Sequence, residues 1–365
     1  MNIQVTQENL SQALGNLARV ASSSRGSLPI LNNILLRTVK GRLSMSATNL
    51  EIAITQSVGA KVNQEGVVTV PARLFQEYIN SLPSGTVDIE VTDHKIYVKS
   101  ADYRSTINGM LADDYPVIPE VKDEPIWKVN TKIFKEALNQ VVFAASTDDA
   151  RPVLTGVLLH SVDGEIYLAA TDSYRLSEKL VGKSKAEFSL LIPASALADL
   201  QRIIGDKDED IFVHADTQQV AFRFAGIELV SRLIEGTYPE YRKLLPASFA
   251  NSADLEKAEF VSASKLASLF ARESAGSIMI ELSPDTKSLS VKSAASQIGE
   301  NNTSIPANIS GDGASISLNS RFLIDGLASI QGPSIIFNMN GKLDPCVLKS
   351  PDHTDYLHII MPLKS

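Results

Sequence analysis

The stretch Val153–Leu176, VLTGVLLHSVDGEIYLAATDSYRL, repeats a pattern that occurs 123 residues earlier in Ile30–Ile52, ILNNILLRTVKGRLSMSATNLEI. In both stretches two runs with alternating apolar residues flank a polar residue and a glycine, Gly41 or Gly164. Such pairs suit two-residue hairpin turns, which need positive φ angles. The stretch therefore predicts the same β-hairpin in two places.

The repeat extends through the whole chain of 365 residues. Tyr115-Pro116 and Tyr238-Pro239 also lie 123 residues apart, and a looser third copy of the hairpin runs through SIMIELSPDTKSLSVKSAASQ, residues 277–297. Solenoid repeats have periods of about 20–50 residues, so a period of this length indicates a domain present three times. We expect domains at residues 1–122, 123–248 and 249–365.

Each copy also contains two helical patterns. The first helix is predicted at residues 6–22, 130–146 and 262–274, and the second at 71–83, 193–205 and 319–332. The spacing of apolar residues in the first helices predicts these buried faces: Leu10, Leu14, Leu17, Ala18; Phe134, Leu138, Val141, Ala145; Leu266, Leu269, Phe270. Two helices and several antiparallel strands per copy predict an α+β fold with helices covering one face of a sheet.

No catalytic or metal-binding pattern is found in the sequence. The five histidines are scattered, without a metal-ligand spacing, and there is no G-x-S-x-G nucleophile elbow. Cys346 is the single cysteine, which excludes internal disulfides and cysteine-based zinc sites. We expect no enzyme activity, no cofactor and no metal.

The first ten residues, MNIQVTQENL, lack the features of a secretion signal, and no apolar run reaches the roughly 18 residues of a membrane span. A cytoplasmic protein with no membrane partner is therefore expected. The net charge of −8 argues against a surface coated with phosphate-binding residues. The six predicted helices and the adjacent Arg25 nevertheless carry nine basic and six acidic residues, so positive charge is concentrated there.

Three motifs together give the chain a family likeness. They are TDSYRL at 171–176, TYPEYRKLLP at 237–246 and the final IIMPLKS at 359–365. With the triplicated domain, they make the chain resemble the bacterial DNA polymerase III β subunits, the replicative sliding clamps. The resemblance implies a head-to-tail homodimer that forms a closed ring around duplex DNA, binds it without sequence preference and acts as a processivity factor.

The resemblance also implies a pocket between the second and third domains. It would receive short linear motifs from the polymerase III α subunit, the clamp-loader δ subunit, other polymerases and repair proteins. By position, the peptide-binding residues are Leu154, Thr171, Ser173, Tyr174, Arg175, Leu176, Pro239, Leu244, Asn319, Phe322, Leu343, Pro345, Ile359, Met361, Pro362 and Leu363. Arg175 is expected to hydrogen-bond the peptide. The other two copies have different residues at the equivalent turn, so only the middle copy is expected to bind peptides.

The same likeness implies DNA contacts by Arg25, Arg73 and Arg151. It implies a dimer interface in which Arg104 and Ile107 of one subunit meet acidic residues such as Glu300 of the other. The rival interpretation is a peptide-binding scaffold that never meets nucleic acid. Retention on nicked circular DNA that is lost on linearisation would distinguish the two.

Overall fold

A computed structural model of the chain describes residues 1–22, 28–122, 124–295 and 299–363. Within these ranges there are six α-helices, two in each third of the chain: α1 Gln7–Ser22, α2 Ala72–Ser81, α3 Thr131–Val141, α4 Ala194–Ile204, α5 Lys257–Phe270 and α6 Ser320–Ser329. The apolar faces predicted for the first helices of copies one and two are buried, as expected. The α+β prediction is confirmed.

The strands follow the same division into thirds. The first third contains β1 Asn2–Thr6, β2 Asn33–Val39, β3 Arg42–Thr48, β4 Ile52–Val58, β5 Lys61–Gln64, β6 Val67–Pro71, β7 Thr86–Thr92, β8 Lys95–Ser100 and β9 Tyr103–Asn108. The middle third contains β10 Trp127–Asn130, β11 Gly156–Val162, β12 Glu165–Thr171, β13 Arg175–Lys183, β14 Ser189–Pro193, β15 Asp210–Ala215, β16 Gln219–Phe224 and β17 Ile227–Arg232. The last third contains β18 Asn251–Glu256, β19 Ser277–Ser283, β20 Ser288–Ala295, β21 Gly299–Pro306, β22 Asn308–Ser310, β23 Ala314–Asn319, β24 Ser334–Met339, β25 Cys346–Lys349 and β26 Tyr356–Ile360.

The two predicted hairpins are present with the predicted turns. Lys40 and Gly41 have φ angles of 47° and 74°, and Asp163 and Gly164 have φ angles of 52° and 79°. Both central residues are therefore left-handed, as a two-residue type I′ turn requires. Strands β2 and β3 pair across the first turn, and β11 and β12 pair across the second.

The buried face predicted for α5 is wrong. Leu266 and Leu269 are each 50% exposed, and the helix begins at Lys257, a full turn before the predicted start. Its buried face consists of Phe260 and the small residues Ala263, Ser264 and Ala267. Small side chains let a helix approach its sheet closely. For the same reason this face is not marked in the sequence by regularly spaced large apolar residues.

The chain forms two compact units. Unit 1 contains residues Met1–Lys132 and Ala198–Leu233. It has a five-stranded sheet in the order β5-β1-β7-β8-β9 and an eight-stranded sheet in the order β10-β15-β16-β17-β4-β3-β2-β6. Helices α1 and α2 pack against each other, and α1 lies on β2, β3 and β4.

Unit 2 contains residues Ile133–Leu197 and Ile234–Ser365. Its nine-stranded sheet has the order β14-β11-β12-β13-β26-β25-β24-β18-β22, and its four-stranded sheet has the order β21-β20-β19-β23. Helices α5 and α6 pack together, and α5 contacts β20 and β21.

Each unit contains a sheet that joins two copies of the repeat. In unit 1, β17 of the middle copy pairs with β4 of the first, with Val230 opposite Ala53. In unit 2, β26 of the last copy pairs with β13 of the middle copy, with Ile359 opposite Leu176. The final strand of one copy thus continues the sheet of the copy before it, through the strand that follows the hairpin.

Two strands that occupy these positions in the repeat are sheet edges. Strand β9 is the final strand of the first copy and β21 follows the hairpin of the last copy. Over the part of the chain that the structure describes, β9 forms a ladder with β8 alone and β21 with β20 alone. Each therefore presents unpaired backbone N–H and C=O groups on one side.

Candidate functional site

The turn between β12 and β13 is closed by its own side chains. The hydroxyl of Thr171 donates to the carbonyl of Arg175 over 2.6 Å. Oδ1 of Asp172 accepts the backbone N–H groups of Tyr174 and Arg175, each over 2.9 Å. Ser173 has a φ of 77°. These bonds hold Tyr174 outward, with 63% of its surface exposed.

Arg175 points inward from the same turn and is buried. Its Nε donates to Oδ2 of Asp172 over 3.0 Å, and its Nη1 donates to Oδ2 of Asp325 on α6 over 2.7 Å. Its Nη2 donates to the carbonyl of Phe143 over 2.9 Å. All three guanidinium nitrogens donate within the chain, so these contacts give Arg175 a supporting role in the site. Direct hydrogen bonding of a peptide by Arg175 stays a prediction.

The Arg175 guanidinium also lies between two aromatic rings. It is 5.3 Å from the ring centroid of Phe143 and 4.7 Å from that of Phe322. Phe322 in turn stacks on Tyr174, with centroids 6.4 Å apart and ring planes 22° apart. Arg175 therefore connects the turn, the end of α3 and α6, and it supports the exposed Tyr174 ring from below.

The start of α6 and the end of the chain are fixed next to the turn. Oδ1 of Asn319 caps α6 by accepting the N–H groups of Arg321 and Phe322, over 2.9 and 3.4 Å. The N–H of Met361 donates to the carbonyl of Tyr174 over 2.8 Å. The side-chain acceptor of Asn319 is therefore engaged by the helix cap.

A cavity of about 520 Å³ opens beside Tyr174. Its wall includes five predicted residues, Leu154, Ser173, Tyr174, Arg175 and Phe322. Its wall also includes residues that the sequence did not indicate as peptide ligands, namely Phe143, Ala145, Ser146, Thr147, Asp148, Arg151, Asp172 and Arg321. This volume lies within the range of sites that bind small ligands or a few side chains.

An apolar cluster forms the floor below the turn. It contains the predicted residues Leu154, Leu176 and Ile359, packed with Tyr238 and Tyr241. The Tyr238 hydroxyl accepts the backbone N–H of Thr171 over 2.9 Å, which joins the floor to the turn. The predicted apolar anchor region is thus assembled from three separate segments of unit 2.

The remaining predicted peptide residues lie outside the wall of this cavity. Leu244 and Leu343 are exposed large apolar side chains, and Pro239 is also exposed. The others are partly buried: Pro345, Met361, Pro362 and Leu363. The N–H of Leu363 donates to the carbonyl of Ser317 over 2.8 Å, so the chain end is bound along β23.

A buried polar network holds the Tyr241–Leu244 helical turn behind the floor. Tyr241 donates to Oε2 of Glu178 over 2.5 Å, and its oxygen lies 2.8 Å from Nε2 of His160. Arg242 donates to the same Glu178 oxygen over 3.0 Å. Burial, with the nearby Arg242 charge, lowers the pKa of His160 to about 4. No sequence pattern indicates this network, because His160, Glu178 and Tyr241 are far apart along the chain.

Three family models match the chain. They describe the N-terminal, central and C-terminal domains of the DNA polymerase III beta subunit and match residues 1–119, 128–240 and 242–364. A beta sliding clamp from Staphylococcus epidermidis is 31% identical over 357 residues, which cover 94% of this chain and 94% of that protein. The chain belongs to the DNA polymerase III β subunit family.

Solved structures agree with this assignment. The crystal structure of the DNA polymerase sliding clamp from Bacillus subtilis aligns with a TM-score of 0.95 and 27% identity, over 100% of this chain and 99% of that one. The beta sliding clamp of B. subtilis is 28% identical over 378 residues, with full coverage of both proteins. The three-domain sliding-clamp fold implied by the resemblance is confirmed.

The residues predicted to contact DNA have different surroundings. Arg25 lies outside the described residues. Arg73 on α2 is exposed and pairs with Glu77 one turn later, at 3.0 Å. Arg151 lies in the wall of the cavity beside Tyr174, and its Nη1 is 3.3 Å from the Ser173 hydroxyl.

Two of the three residues predicted for the dimer interface are available on sheet edges. Arg104 is exposed on β9, and Glu300 is exposed on β21. Ile107 is buried inside unit 1, opposite Ile96 of β8. Its side chain already belongs to the core of its own unit, so it has little free surface to offer a partner.

No three His, Cys, Asp or Glu side chains are grouped as metal ligands within the described ranges. Cys346 is buried, and burial raises the pKa of its thiol to about 12, so it is a poor nucleophile. None of the helices in the described part of the chain has the length and apolarity to cross a membrane.

Proposed function

We propose that the chain is a processivity factor that encircles duplex DNA as a head-to-tail homodimer and tethers DNA polymerase III to its template. The observation that carries this proposal is the way the repeats join. Among the described residues, β17 pairs with β4 and β26 pairs with β13, each joining the final strand of one copy to the strand after the hairpin of the copy before it. The corresponding strands β9 and β21 are edges of their described sheets. A second copy can supply the missing partner for each edge.

The internal repeat predicts the register of this third junction. In the first copy Ala53 of β4 lies opposite Thr48 of β3. In the last copy Glu300 of β21 lies opposite Ala294 of β20, which is 246 residues after Thr48. Glu300 thus takes the place of Ala53 in the repeat.

Strand β9 in turn takes the place of β17. The two-residue turns that precede these strands match at an offset of 124 residues, since Ser100 pairs with Tyr103 and Phe224 pairs with Ile227. Thr106 therefore corresponds to Val230, which lies opposite Ala53. In the dimer Thr106 would lie opposite the partner's Glu300. Two such contacts, related by a twofold axis, close a ring without leaving an open edge at either junction.

This register keeps the contact predicted from the sequence. Arg104 would lie opposite the partner's Asn302, on the same face of the sheet as Glu300, because side chains two residues apart on a strand point to the same face. Arg104 and the partner's Glu300 would then be diagonal neighbours, which long side chains can bridge. The exposed Leu266 and Leu269 on α5, which contacts β21, also provide apolar surface for the partner to cover.

Cysteine cross-linking tests the ring. The register pairs Thr106 with the partner's Glu300, so a chain with Thr106→Cys and Glu300→Cys should oxidise to a covalent species of twice the chain mass. The native Cys346 is buried and contributes little background. The control combines Arg104→Cys with Glu300→Cys, which is two residues out of register and should cross-link weakly.

The oxidised ring should remain on nicked circular DNA and be released after linearisation. Equal cross-linking of the two cysteine pairs, or only monomer at micromolar concentration, would contradict the proposed junction. A chain that dimerises but does not remain on circular DNA would favour the peptide-binding scaffold instead.

Contact with DNA is proposed to be electrostatic and independent of sequence. Contacts to phosphate oxygens give affinity without reading bases, which suits a protein that must move along the duplex. Arg25 and Arg73 remain the proposed contacts in the first copy. Because Arg73 already pairs with Glu77, its contribution should be modest and should fall with added salt.

We propose that the cavity beside Tyr174 and the apolar floor below it receive short linear motifs of partner proteins. The partners would be the polymerase III α subunit, the clamp-loader δ subunit, other polymerases and repair proteins. Leu154, Leu176 and Ile359 offer an apolar floor, and Tyr174 offers an exposed ring face. Met361 is adaptable enough to accept different apolar side chains.

Deletion of Met361–Ser365 should abolish binding of a fluorescent clamp-motif peptide and leave the dimer intact. Tyr174→Ala should weaken binding by roughly tenfold, since stacking against an aromatic ring contributes about 0.5–1.5 kcal/mol beyond its buried area. Tyr97→Ala, at another exposed tyrosine, is the matched control. Unchanged peptide affinity in the deletion variant, measured by fluorescence polarisation, would refute the assignment.

We further propose domain boundaries at residues 122/123 and 248/249, close to the limits of the three matched domains. A protein that acts on replicating bacterial DNA works in the cytoplasm, which is the proposed location. The clamp would act by tethering and would itself catalyse no reaction.

A further inference from the structure

A second cavity lies in unit 1, at the turn that follows β3. It has a volume of about 290 Å³ and is lined by Thr48, Leu50, Ile52, Pro116, Val117 and Arg232, among others. Thr48 and Pro116 lie 123 residues before Thr171 and Pro239, two of the residues predicted for the peptide pocket. The cavity thus occupies, in the first copy, the place that the peptide pocket has in the middle copy.

The turn that forms its wall is built as in the middle copy. The hydroxyl of Thr48 donates to the carbonyl of Ile52 over 2.9 Å, as Thr171 does to Arg175 over 2.6 Å. The N–H two residues after each threonine donates back to the same hydroxyl, over 3.0 and 3.1 Å. The backbone is therefore the same, and only the side chains it presents differ.

The side chains of this turn give the cavity an exposed apolar lining. Leu50 has a φ of 77°, the same value as Ser173, although a leucine in this left-handed region is strained. The oxygen of Asn49 holds it there by accepting the N–H groups of Glu51 and Ile52, over 3.1 and 2.8 Å. Leu50 is nevertheless 49% exposed, so its side chain lacks the burial that would offset the strain.

Val117, which also lines the cavity, is 93% exposed. Together with Leu50 it forms an apolar surface of the kind that a partner covers. A cavity of this size holds one or two aliphatic side chains.

Acidic residues outnumber basic ones in the wall of this cavity and the chain segments next to it. Glu51 is exposed in its wall, and the exposed Asp113 and Asp114 lie within three residues of Pro116. Arg232 is the cation of the lining. The cavity beside Tyr174 differs, because its wall contains three arginines, Arg151, Arg175 and Arg321, and the positions 123 residues before them hold no basic residue.

We propose that the unit 1 cavity binds an extended peptide of a partner protein in which aliphatic side chains are flanked by lysine or arginine. The aliphatic side chains would pack between Leu50 and Val117, and the flanking cations would face Glu51 and the Asp113-Asp114 pair. From the sequence, only the middle copy is predicted to bind peptides. This proposal adds a second site of opposite charge, and it does not depend on peptide binding beside Tyr174.

The test uses two fluorescein-labelled probes and the full-length chain. The basic probe is Gly-Lys-Ser-Leu-Val-Ser-Lys-Gly, and the acidic probe has glutamate in place of both lysines. We expect the basic probe to bind at least tenfold more tightly by fluorescence polarisation at low salt. Replacement of its Leu-Val by Ser-Ser should remove binding.

Leu50→Gly is the informative variant, because glycine accepts the positive φ and the fold is retained. It should weaken binding of the basic probe at least tenfold, and Glu51→Lys should reverse the preference for charge. Leu28→Gly removes another half-exposed leucine of unit 1 and should bind as the parent chain does.

Equal affinity for the two probes, no binding at millimolar chain concentration, or unchanged binding by Leu50→Gly would overturn the proposal. Tyr174→Ala separates the two sites. This variant should weaken binding of the clamp-motif peptide and leave binding of the basic probe unchanged. Loss of the basic probe in Tyr174→Ala would assign that probe to the middle cavity and refute the unit 1 site.

Discussion

Replacement of Arg175 by alanine tests whether this residue supports the site or binds the peptide directly. The change removes hydrogen bonds to two carboxylates, Asp172 and Asp325, and to the carbonyl of Phe143. It also removes the cation between two aromatic rings. Asp325 would be left partly buried without its closest positive partner.

The magnitude follows from these contacts. Hydrogen bonds to charged groups contribute about 1.5–3 kcal/mol each, and a cation over an aromatic ring adds about 0.5–2 kcal/mol. Such terms are not additive, and breaking a buried ion pair by removing one partner costs about 3–5 kcal/mol in measured cases. We expect Arg175→Ala to reduce the local stability of α6 and the turn by about that amount.

Hydrogen–deuterium exchange of peptides from α6 is the suitable measurement. The single tryptophan, Trp127, lies in unit 1, so its fluorescence does not report on this part of unit 2. A loss of about 3–5 kcal/mol should speed exchange of the α6 amides by roughly a hundredfold or more. Arg175→Lys keeps the charge but loses the planar fork, so it should lie between the parent chain and Arg175→Ala.

Peptide affinity is measured on the same variants. If Arg175 acts by support, affinity and α6 protection should fall together, and Asp325→Asn should lose part of both. Unchanged protection of α6 with strongly reduced peptide affinity would refute this reasoning, because it would make Arg175 a direct ligand. Arg151→Ala, at an arginine of the cavity wall that lies outside α6, should leave α6 protection unchanged.

Three further outcomes are expected. Burial, with the Arg175 charge, lowers the pKa of His358 to about 3, below its unfolded value near 6.5, so stability present above pH 6.5 is lost as the pH falls. Between pH 7 and 5 this loss of stability should be about 2 kcal/mol, measured by urea unfolding. His358→Gln should reduce the loss, whereas replacement of the exposed His94 by glutamine should not. Gly326→Ala should cost about 1–3 kcal/mol, since the new Cβ would lie 2.4 Å from Cδ2 of His358, and His358→Ala should relieve much of this cost. Ser173→Gly should raise the free energy of unfolding by about 0.5–1 kcal/mol, because glycine tolerates the φ of 77° at this position. The thermal midpoint should rise accordingly. A lower midpoint would contradict the last expectation.

Much of the fold was predictable because the sequence contains it more than once. Hairpin turns, helix positions and the α+β class follow from local patterns that recur at 123 residues. The prediction of the buried face of α5 was wrong for a local reason. Leu266 and Leu269 have the spacing of core residues, yet the helix packs through Ala263 and Ala267. Spacing identifies an apolar stripe but does not show whether the chain itself or a partner covers it.

The site was less predictable because its decisive contacts join distant residues. Arg175 and Asp325 are 150 positions apart, and nothing near either residue indicates the other. An arginine in a turn was therefore assigned to the peptide instead of to the support of α6. Arg151 was assigned to DNA, and only the folded chain shows that it lies beside Ser173.

In the repeated turn, one set of residues determines the backbone conformation and another set determines the surface of the site. A threonine followed by Asn49 or Asp172 closes the turn in both copies, because either side-chain oxygen can accept the N–H groups two and three residues later. The three residues after it are free to vary. Leu50-Glu51-Ile52 gives an apolar wall with one acidic side chain, and Ser173-Tyr174-Arg175 gives a ring platform on a buried cation. If this separation holds, grafting Ser173-Tyr174-Arg175 onto positions 50–52 should preserve the turn but create no clamp-motif site, since unit 1 has no counterpart of Asp325 in the described contacts of that turn.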